Sequence, residues 1–246
     1  MTLLPVQHAS LLQATVTVLQ SKQETPSVRS IRVSKPEGFS FRASQAVRLT
    51  VHGSQGAVAR PFSIASSPTR EYLEFAARYS ESDFKRAFFE LRPGDEVDIL
   101  GPRGHFLLEH DAPGVVVAAG IGITPLKSML EYATDAALPT KLTLVYGSHS
   151  PEEIAFHDDI EALAHSNPRF TTMHTVTIPS PNWRGRVGRI DTALLREGSE
   201  DRANAIYYLA GPPRMVEEAY RATTSLGVPE WRIRFEVFRG YGDLRD

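Results

Sequence analysis

Val115-Val116-Val117-Ala118-Ala119-Gly120-Ile121-Gly122-Ile123-Thr124-Pro125 is the stretch that decides the fold. Five apolar residues in a row, without alternation, suit a strand buried on both faces, as in a parallel sheet. Gly120 and Gly122 then let the backbone turn tightly and approach a ligand without side-chain obstruction. Thr124 reads as a helix N-cap and Pro125 as the first helical residue. Leu126, Met129, Leu130 and Ala133 follow at i, i+3, i+4 and i+7, the apolar stripe of a helix. The free N–H groups and positive dipole end of that helix suit a pyrophosphate. Taken alone, the glycines fit a bare strand-to-helix turn equally well.

Working outward, the same alternation continues to the C-terminus. Residues 142–146 read as a second strand. Ser150-Pro151-Glu152-Glu153 carries a capping-box signature and predicts the start of the next helix, with Phe156, Ile160, Leu163 and Ala164 on its buried face. Further strands are expected at 170–178, 205–209 and 232–238, and a helix at 215–226 stopped by Gly227. This pattern predicts a doubly wound parallel sheet, order 3-2-1-4-5. Ala210-Gly211-Pro212-Pro213-Arg214-Met215 repeats the glycine turn after the fourth strand. In that order both turns face one crevice at the carboxyl ends of the strands, where open α/β sheets bind ligands.

Toward the N-terminus the pattern changes at Glu109-His110-Asp111-Ala112-Pro113-Gly114. Before it lie short β-prone runs, at 14–18, 28–33, 46–51, 62–66, 72–77 and 96–100, separated by turn formers. One helix is expected at 83–91, capped by Ser82. Runs at this spacing predict a small antiparallel β-barrel. The expected domains are therefore residues 1–109, an antiparallel barrel, and residues 110–246, an α/β domain. Within the barrel, Arg60-Pro61-Phe62-Ser63-Ile64-Ala65-Ser66-Ser67 sets a cation, a flat aromatic ring and a hydroxyl within four residues. Alternation puts Arg60 and Phe62 on one face and Ser63 on the other, unless the strand bends.

Composition narrows the chemistry. The chain has 246 residues, with 27 basic and 29 acidic, a balance that argues against nucleic acid or an anionic membrane as partner. It has no cysteine, which excludes disulfides, cysteine-ligated iron–sulfur clusters and a cysteine nucleophile. Residues 1–20 lack a secretory pattern, and no run approaches the ~20 apolar residues of a membrane span. The expected compartment is the cytoplasm. Glu153 with His157, and Glu161 with His165, fall at i, i+4 and read as surface ion pairs, so no metal site is expected. No Gly-x-Ser-x-Gly nucleophile elbow occurs.

The ordered motifs resemble those of the ferredoxin–NADP reductase superfamily. Arg60-Pro61-Phe62-Ser63 resembles its Arg-x-Tyr/Phe-Ser flavin motif, and Gly101-Pro102-Arg103-Gly104-His105-Phe106 its Gly-Pro-x-Gly-x-Phe segment. Gly120 to Pro125 and Gly211 to Met215 resemble its nicotinamide nucleotide motifs. Phe235-Glu236-Val237-Phe238 resembles its C-terminal aromatic and acidic signature. The resemblance implies a flavoprotein reductase using FAD, rather than FMN, with NADH or NADPH as co-substrate.

Residue roles follow from the resemblance. Arg60 and Arg78 would meet flavin phosphates, with Lys85 and backbone N–H groups cradling them. Phe62 would lie against the isoalloxazine beside Pro61 and Ala76, and Tyr79 against adenine. Ser63 would hydrogen-bond near flavin N5, and Glu236 and Phe238 would close the hydride-transfer site. Thr124 would contact the nicotinamide, and Gly120, Gly122, Pro125, Gly147, Ser148, Gly211, Pro212 and Met215 would hold its nucleotide. Ser63, Glu236 and Thr124 are thus the expected catalytic residues. Phe84 stands where many relatives have a serine, and Ala210 where many have a cysteine. Arg184, Arg186 and Arg189 could reach a 2′-phosphate or be solvated loop charges, so the choice between NADH and NADPH stays open. Without an iron–sulfur domain in the sequence, electrons are expected to leave to a separate acceptor: a small redox protein, an oxygenase, a haem protein or a small molecule. A non-catalytic flavin-binding regulatory or electron-transfer subunit is the alternative.

Overall fold

The computed structural model describes residues 11–54, 56–199 and 204–238. Residues 1–10, half of the stretch read for a secretory pattern, lie outside them. Strands β1 (Leu12–Thr25), β2 (Val28–Ser34), β3 (Ala46–Gly53), β4 (Gly56–Ser63) and β5 (Tyr72–Arg78) precede helix α1 (Asp83–Glu90) and β6 (Glu96–Arg103). These strands form one antiparallel sheet, order β4-β3-β6-β1-β2-β5, curled into a half-barrel. Register shifts after Val18 and Gln23 bend β1, so its first half pairs with β6 and its second half with β2. The chain crosses between the two sheet edges just after β4, where Ala65 N–H donates to Glu74 O at 2.8 Å. Alternate residues, including Val47, Leu49, Val51, Val97 and Ile99, fill the core, joined by Phe84 and Phe88 of α1. Ser82 caps α1 as expected, accepting from Lys85 N–H.

The second sheet is wholly parallel. It contains β7 (Gly114–Ala119), β8 (Leu142–Ser148), β9 (Phe170–Val176), β10 (Arg186–Val187), β11 (Ile206–Gly211) and β12 (Ile233–Val237). The order β10-β9-β8-β7-β11-β12 is the expected 3-2-1-4-5 arrangement with a two-residue strand added at one edge. Helices α2 (Ile123–Asp135), α3 (His157–Ser166), α4 (Thr192–Glu197) and α5 (Pro213–Ser225) pack on it.

Several local expectations are corrected. The strand carrying Arg60 is Gly56–Ser63, not 62–66, because the hairpin with β3 overrides the weak β-propensity of Gly56-Ala57. Thr124 is not the N-cap of α2. A 3₁₀ turn over Gly120–Gly122 feeds straight into the helix, and the Thr124 hydroxyl donates back to Ile121 O at 3.1 Å. The capping-box segment forms only a 3₁₀ turn, Pro151–Glu153, and α3 begins at His157 after Phe156 adopts a left-handed φ of 58°. Glu153 therefore does not share a helix with His157 and pairs elsewhere. The short β10 and α4, the latter capped by Asp191 accepting from Leu194 N–H at 2.8 Å, had no periodic signal long enough to read.

Helix α2 presses one face onto the half-barrel, and the seam is ionic. Lys127, 1% exposed, meets Glu74 of β5 at 2.8 Å, with Glu131 and Asp159 each at 3.7 Å. Arg32 holds the other Glu74 oxygen at 2.8 Å. Ser67 N–H donates to Glu131 at 2.6 Å, and Arg70 bridges Glu131 and Asp135. Burial disfavours both charges, yet the cations hold Glu74 below the usual carboxylate range and the carboxylates push Lys127 up to about 12.

Candidate active site

At the mouth of this seam lies a cavity of about 520 Å³. The half-barrel supplies Arg60, Pro61, Phe62, Ser63, Ala76 and Lys85; the glycine turn and α2 supply Ile121 and Thr124; the end of β12 supplies Glu236, Val237 and Phe238. Arg60, Phe62 and Ser63 all line it despite strand alternation. Ser63 is the last residue of β4, and the chain bends away immediately after it. Phe62 stacks on Phe84 at 5.1 Å and Phe88 at 5.6 Å, with Lys85 Nζ 4.8 Å over its ring. The phenylalanine at position 84 therefore backs the aromatic platform.

Ser63 Oγ donates to Glu236 Oε1 at 3.3 Å, joining the tips of β4 and β12 across the seam. Burial pushes the Glu236 carboxyl up to about 7, with the Ser63 bond pulling the other way. Phe238 N–H donates to Gly211 O at 3.0 Å and fixes the end of the described chain beside the second glycine turn.

The two glycine turns touch. A Cβ on Gly122 would lie 2.6 Å from Gly211 Cα and closer still to the Ala210 carbonyl oxygen. Only glycine allows β7 and β11 to bring their carboxyl ends this close. Gly120 adopts φ +51°, and the Tyr146 hydroxyl donates to its carbonyl at 2.9 Å. Around this crevice Gly147 packs under Ile190, Pro212 precedes α5, and Met215 reaches back over Gly211. Pro125 and Ser148 are buried nearby in α2 and at the end of β8.

Arg78 and Tyr79 are not brought to the 520 Å³ cavity. Arg78 pairs with Glu153 at 3.3 Å, and Glu153 also accepts from Ser27. Tyr79 is exposed and meets Phe89 edge-on at 5.2 Å. The cavity wall also includes Ser80 and Ser82, which sequence reasoning did not assign. Two hydroxyls flanking a helix start were the available signal. A larger cavity, about 890 Å³, sits at the opposite edge of the parallel sheet among Pro113, Lys141 and Arg169, at the amino ends of the strands. Ligands in open α/β sheets bind at the other edge.

The donor set of the smaller cavity fits a flavin: two cations, an aromatic platform, and a hydroxyl–carboxyl pair. Burial and the repulsion of Arg60 lower Lys85 to about 8, and an anionic phosphate would relieve both. Flavin affinity is accordingly expected to fall as pH rises through about 8, where Lys85 loses its charge. Equilibrium dialysis from pH 6.5 to 9.5 checks this, and Lys85→Met should flatten the profile.

Comparison with known proteins agrees. Residues 116–221 match the oxidoreductase NAD-binding domain model. Ferredoxin–NADP reductase B of Sorangium cellulosum (strain So ce56) is 32% identical over 227 residues, which cover 87% of this chain and 93% of that protein. The ferredoxin–NAD(P)(+) reductase component of the naphthalene 1,2-dioxygenase system of Pseudomonas putida is 26% identical over 94% of this chain and 70% of its own length. The FAD/NAD-binding domain of a nitric oxide dioxygenase from Vibrio cholerae O1 biovar El Tor shares the fold, with a TM-score of 0.81 at 20% identity over 91% of this chain and 98% of that one. No helix among the described residues is long and apolar enough to cross a membrane. Similarity that runs the length of both chains, over a half-barrel followed by a parallel sheet, leads to one conclusion: the chain belongs to the ferredoxin–NADP reductase family of NAD(P)H-dependent flavoprotein reductases.

Proposed function

We propose that residues 1–109 hold FAD in the 520 Å³ cavity, that residues 110–246 hold NAD(P)H on the paired glycine turns, and that Ser63 and Glu236 serve the reacting centre between them. Bound there, FAD would supply the redox chemistry, acceptance of hydride from NAD(P)H and onward release of electrons to an acceptor. The observation that carries this assignment is the Ser63–Glu236 contact, which joins the half-barrel to the last strand of the parallel sheet at the cavity wall.

Each group has a definite task. Arg60 and Lys85 neutralise phosphate, and Phe62, backed by Phe84 and Phe88, offers the ring a flat support. Thr124, tied to Ile121 O, fixes the turn that faces the nicotinamide. Phe238, anchored through its N–H, covers the cleft. Ser63 donates a hydrogen bond to Glu236, whose carboxyl burial pushes up to about 7, so that it holds a proton at the cavity wall just below neutral pH. Arg78, whose Nη1 pairs with Glu153, would meet flavin phosphate through its remaining N–H groups, and Tyr79 would meet adenine on the open side of α1. The names of the two relatives support a ferredoxin-class redox protein as electron acceptor. Dependence on NAD(P)H in a cysteine-free chain supports the cytoplasm as its compartment.

Ser63→Ala tests the assignment. It is expected to slow flavin reduction about tenfold, the loss of roughly one charge-assisted hydrogen bond, with flavin affinity within threefold of wild type. Reduction is also expected to slow as pH rises through about 7, because a Glu236 carboxylate opposes the arriving negative charge. Glu236→Gln should remove that dependence. Equal reduction rates in Ser63→Ala and wild type would sink the assignment.

A further inference from the structure

A second cluster of ligand-bearing side chains lies away from the cleft, on α3 and the strand beneath it. With α3 starting at His157, that residue and Glu161 sit one turn apart on the same face. His174 of β9 lies under them. Ligand atoms of the three all fall within 4.8 Å of one another. His174 Nε2 and Glu161 Oε1 are 3.0 Å apart, and the two imidazole rings are 5.3 Å apart. Two ligands each about 2.1 Å from one tetrahedral ion stand about 3.4 Å apart, which the 3.0 Å His174–Glu161 pair nearly matches and which His157, within 4.8 Å, reaches by a side-chain shift of at most about 1.4 Å.

The cluster is held in place. Thr172 Oγ1 donates to Glu161 Oε1 at 3.1 Å. The His174 side chain is 11% exposed and packs on Tyr146 at 5.8 Å, while the His157 and Glu161 side chains are each 46% exposed, so an ion can enter. Two imidazoles with one carboxylate suit zinc, copper or nickel, whereas magnesium and calcium prefer all-oxygen sites.

We propose that His157, Glu161 and His174 form a three-ligand site for a divalent transition ion of the zinc type, with water as fourth ligand. A bound ion ties α3 to β9. It does so beside Tyr146, the register partner of His174 and the residue whose hydroxyl holds the Gly120 carbonyl.

The test uses tag-free holoprotein, stripped of metal with EDTA and titrated with Zn²⁺ alone by isothermal calorimetry. One ion per chain with a micromolar Kd is expected. His157→Ala and Glu161→Gln should each weaken binding by roughly tenfold or more, and His157→Cys, which supplies another zinc ligand, should restore it. Flavin absorbance and turnover with ferricyanide verify that the variants are folded. Equal zinc affinity in wild type and His157→Ala, or no saturable binding, overturns the proposal.

Discussion

Gly122→Ala is expected to cut kcat/KM for NAD(P)H at least 100-fold while the protein keeps its flavin absorbance. The new Cβ would meet the Ala210 carbonyl and Gly211 Cα, both backbone atoms of the neighbouring turn. Backbone cannot rotate aside as a side chain does, so the carboxyl ends of β7 and β11 must separate. Overpacking of this kind costs about 1–3 kcal/mol, occasionally more. Under the proposed function the displacement falls on the turns assigned to the nicotinamide nucleotide, and a misplacement of about 1 Å can cost ~100-fold in rate. Gly147→Ala is the comparison: its Cβ would come within 3.2 Å of the Ile190 side chain, which can yield. The loss there should stay under about tenfold. Stopped-flow reduction of the two variants side by side distinguishes a steric block at the paired turns from general intolerance of glycine replacement.

Lys127→Met should destabilise the protein by about 3–5 kcal/mol, because it leaves Glu74 as a buried carboxylate that has lost one of the two cations holding it at 2.8 Å. Arg32 still holds one Glu74 oxygen, so the loss belongs at the lower end of that range. Urea unfolding read through tryptophan fluorescence measures it. The pH dependence follows from both shifts. Glu74 is depressed, so its contribution is present above the ordinary carboxylate range and is lost as pH falls through its lower folded value. Lys127 is raised to about 12, so its contribution is complete below its ordinary value of 10.5 and is lost as pH rises through about 12. Wild-type stability from this network should therefore be flat between pH 5 and pH 10. In Lys127→Met the acid limb should move to higher pH, because Glu74 then picks up a proton more readily.

The glycine turns and the parallel sheet were legible because a strand buried on both faces leaves an uninterrupted apolar run, and Val115 to Ala119 is one. Arg60, Phe62 and Ser63, which line the cavity, stood out by residue type, a cation, a flat ring and a hydroxyl within four residues, whereas Glu236 and Phe238, which line it too, were placed by the family resemblance alone. The ionic seam was not. Lys127 and Glu131, four residues apart on α2, look like any solvated helix face, and Glu74 looks like an exposed position on a strand. They become buried only because α2 lies across β5, a fact of tertiary packing that no local period encodes. The start of α3 was misread for a related reason: a capping-box pattern competes with the left-handed turn at Phe156, which buries that ring against the sheet and Lys127. The His157, Glu161 and His174 cluster was hidden because its third member comes from the next strand, 13 residues past Glu161, where no helical spacing links it to the other two.

The most direct measurement is anaerobic stopped-flow absorbance of the FAD-loaded protein at 450 nm, mixed with NADH or NADPH. A yellow protein that bleaches with at least one of the two, at a rate that depends on Ser63 and Gly122, is the expected result. A folded protein that takes up FAD yet keeps its 450 nm absorbance with both co-substrates would contradict it.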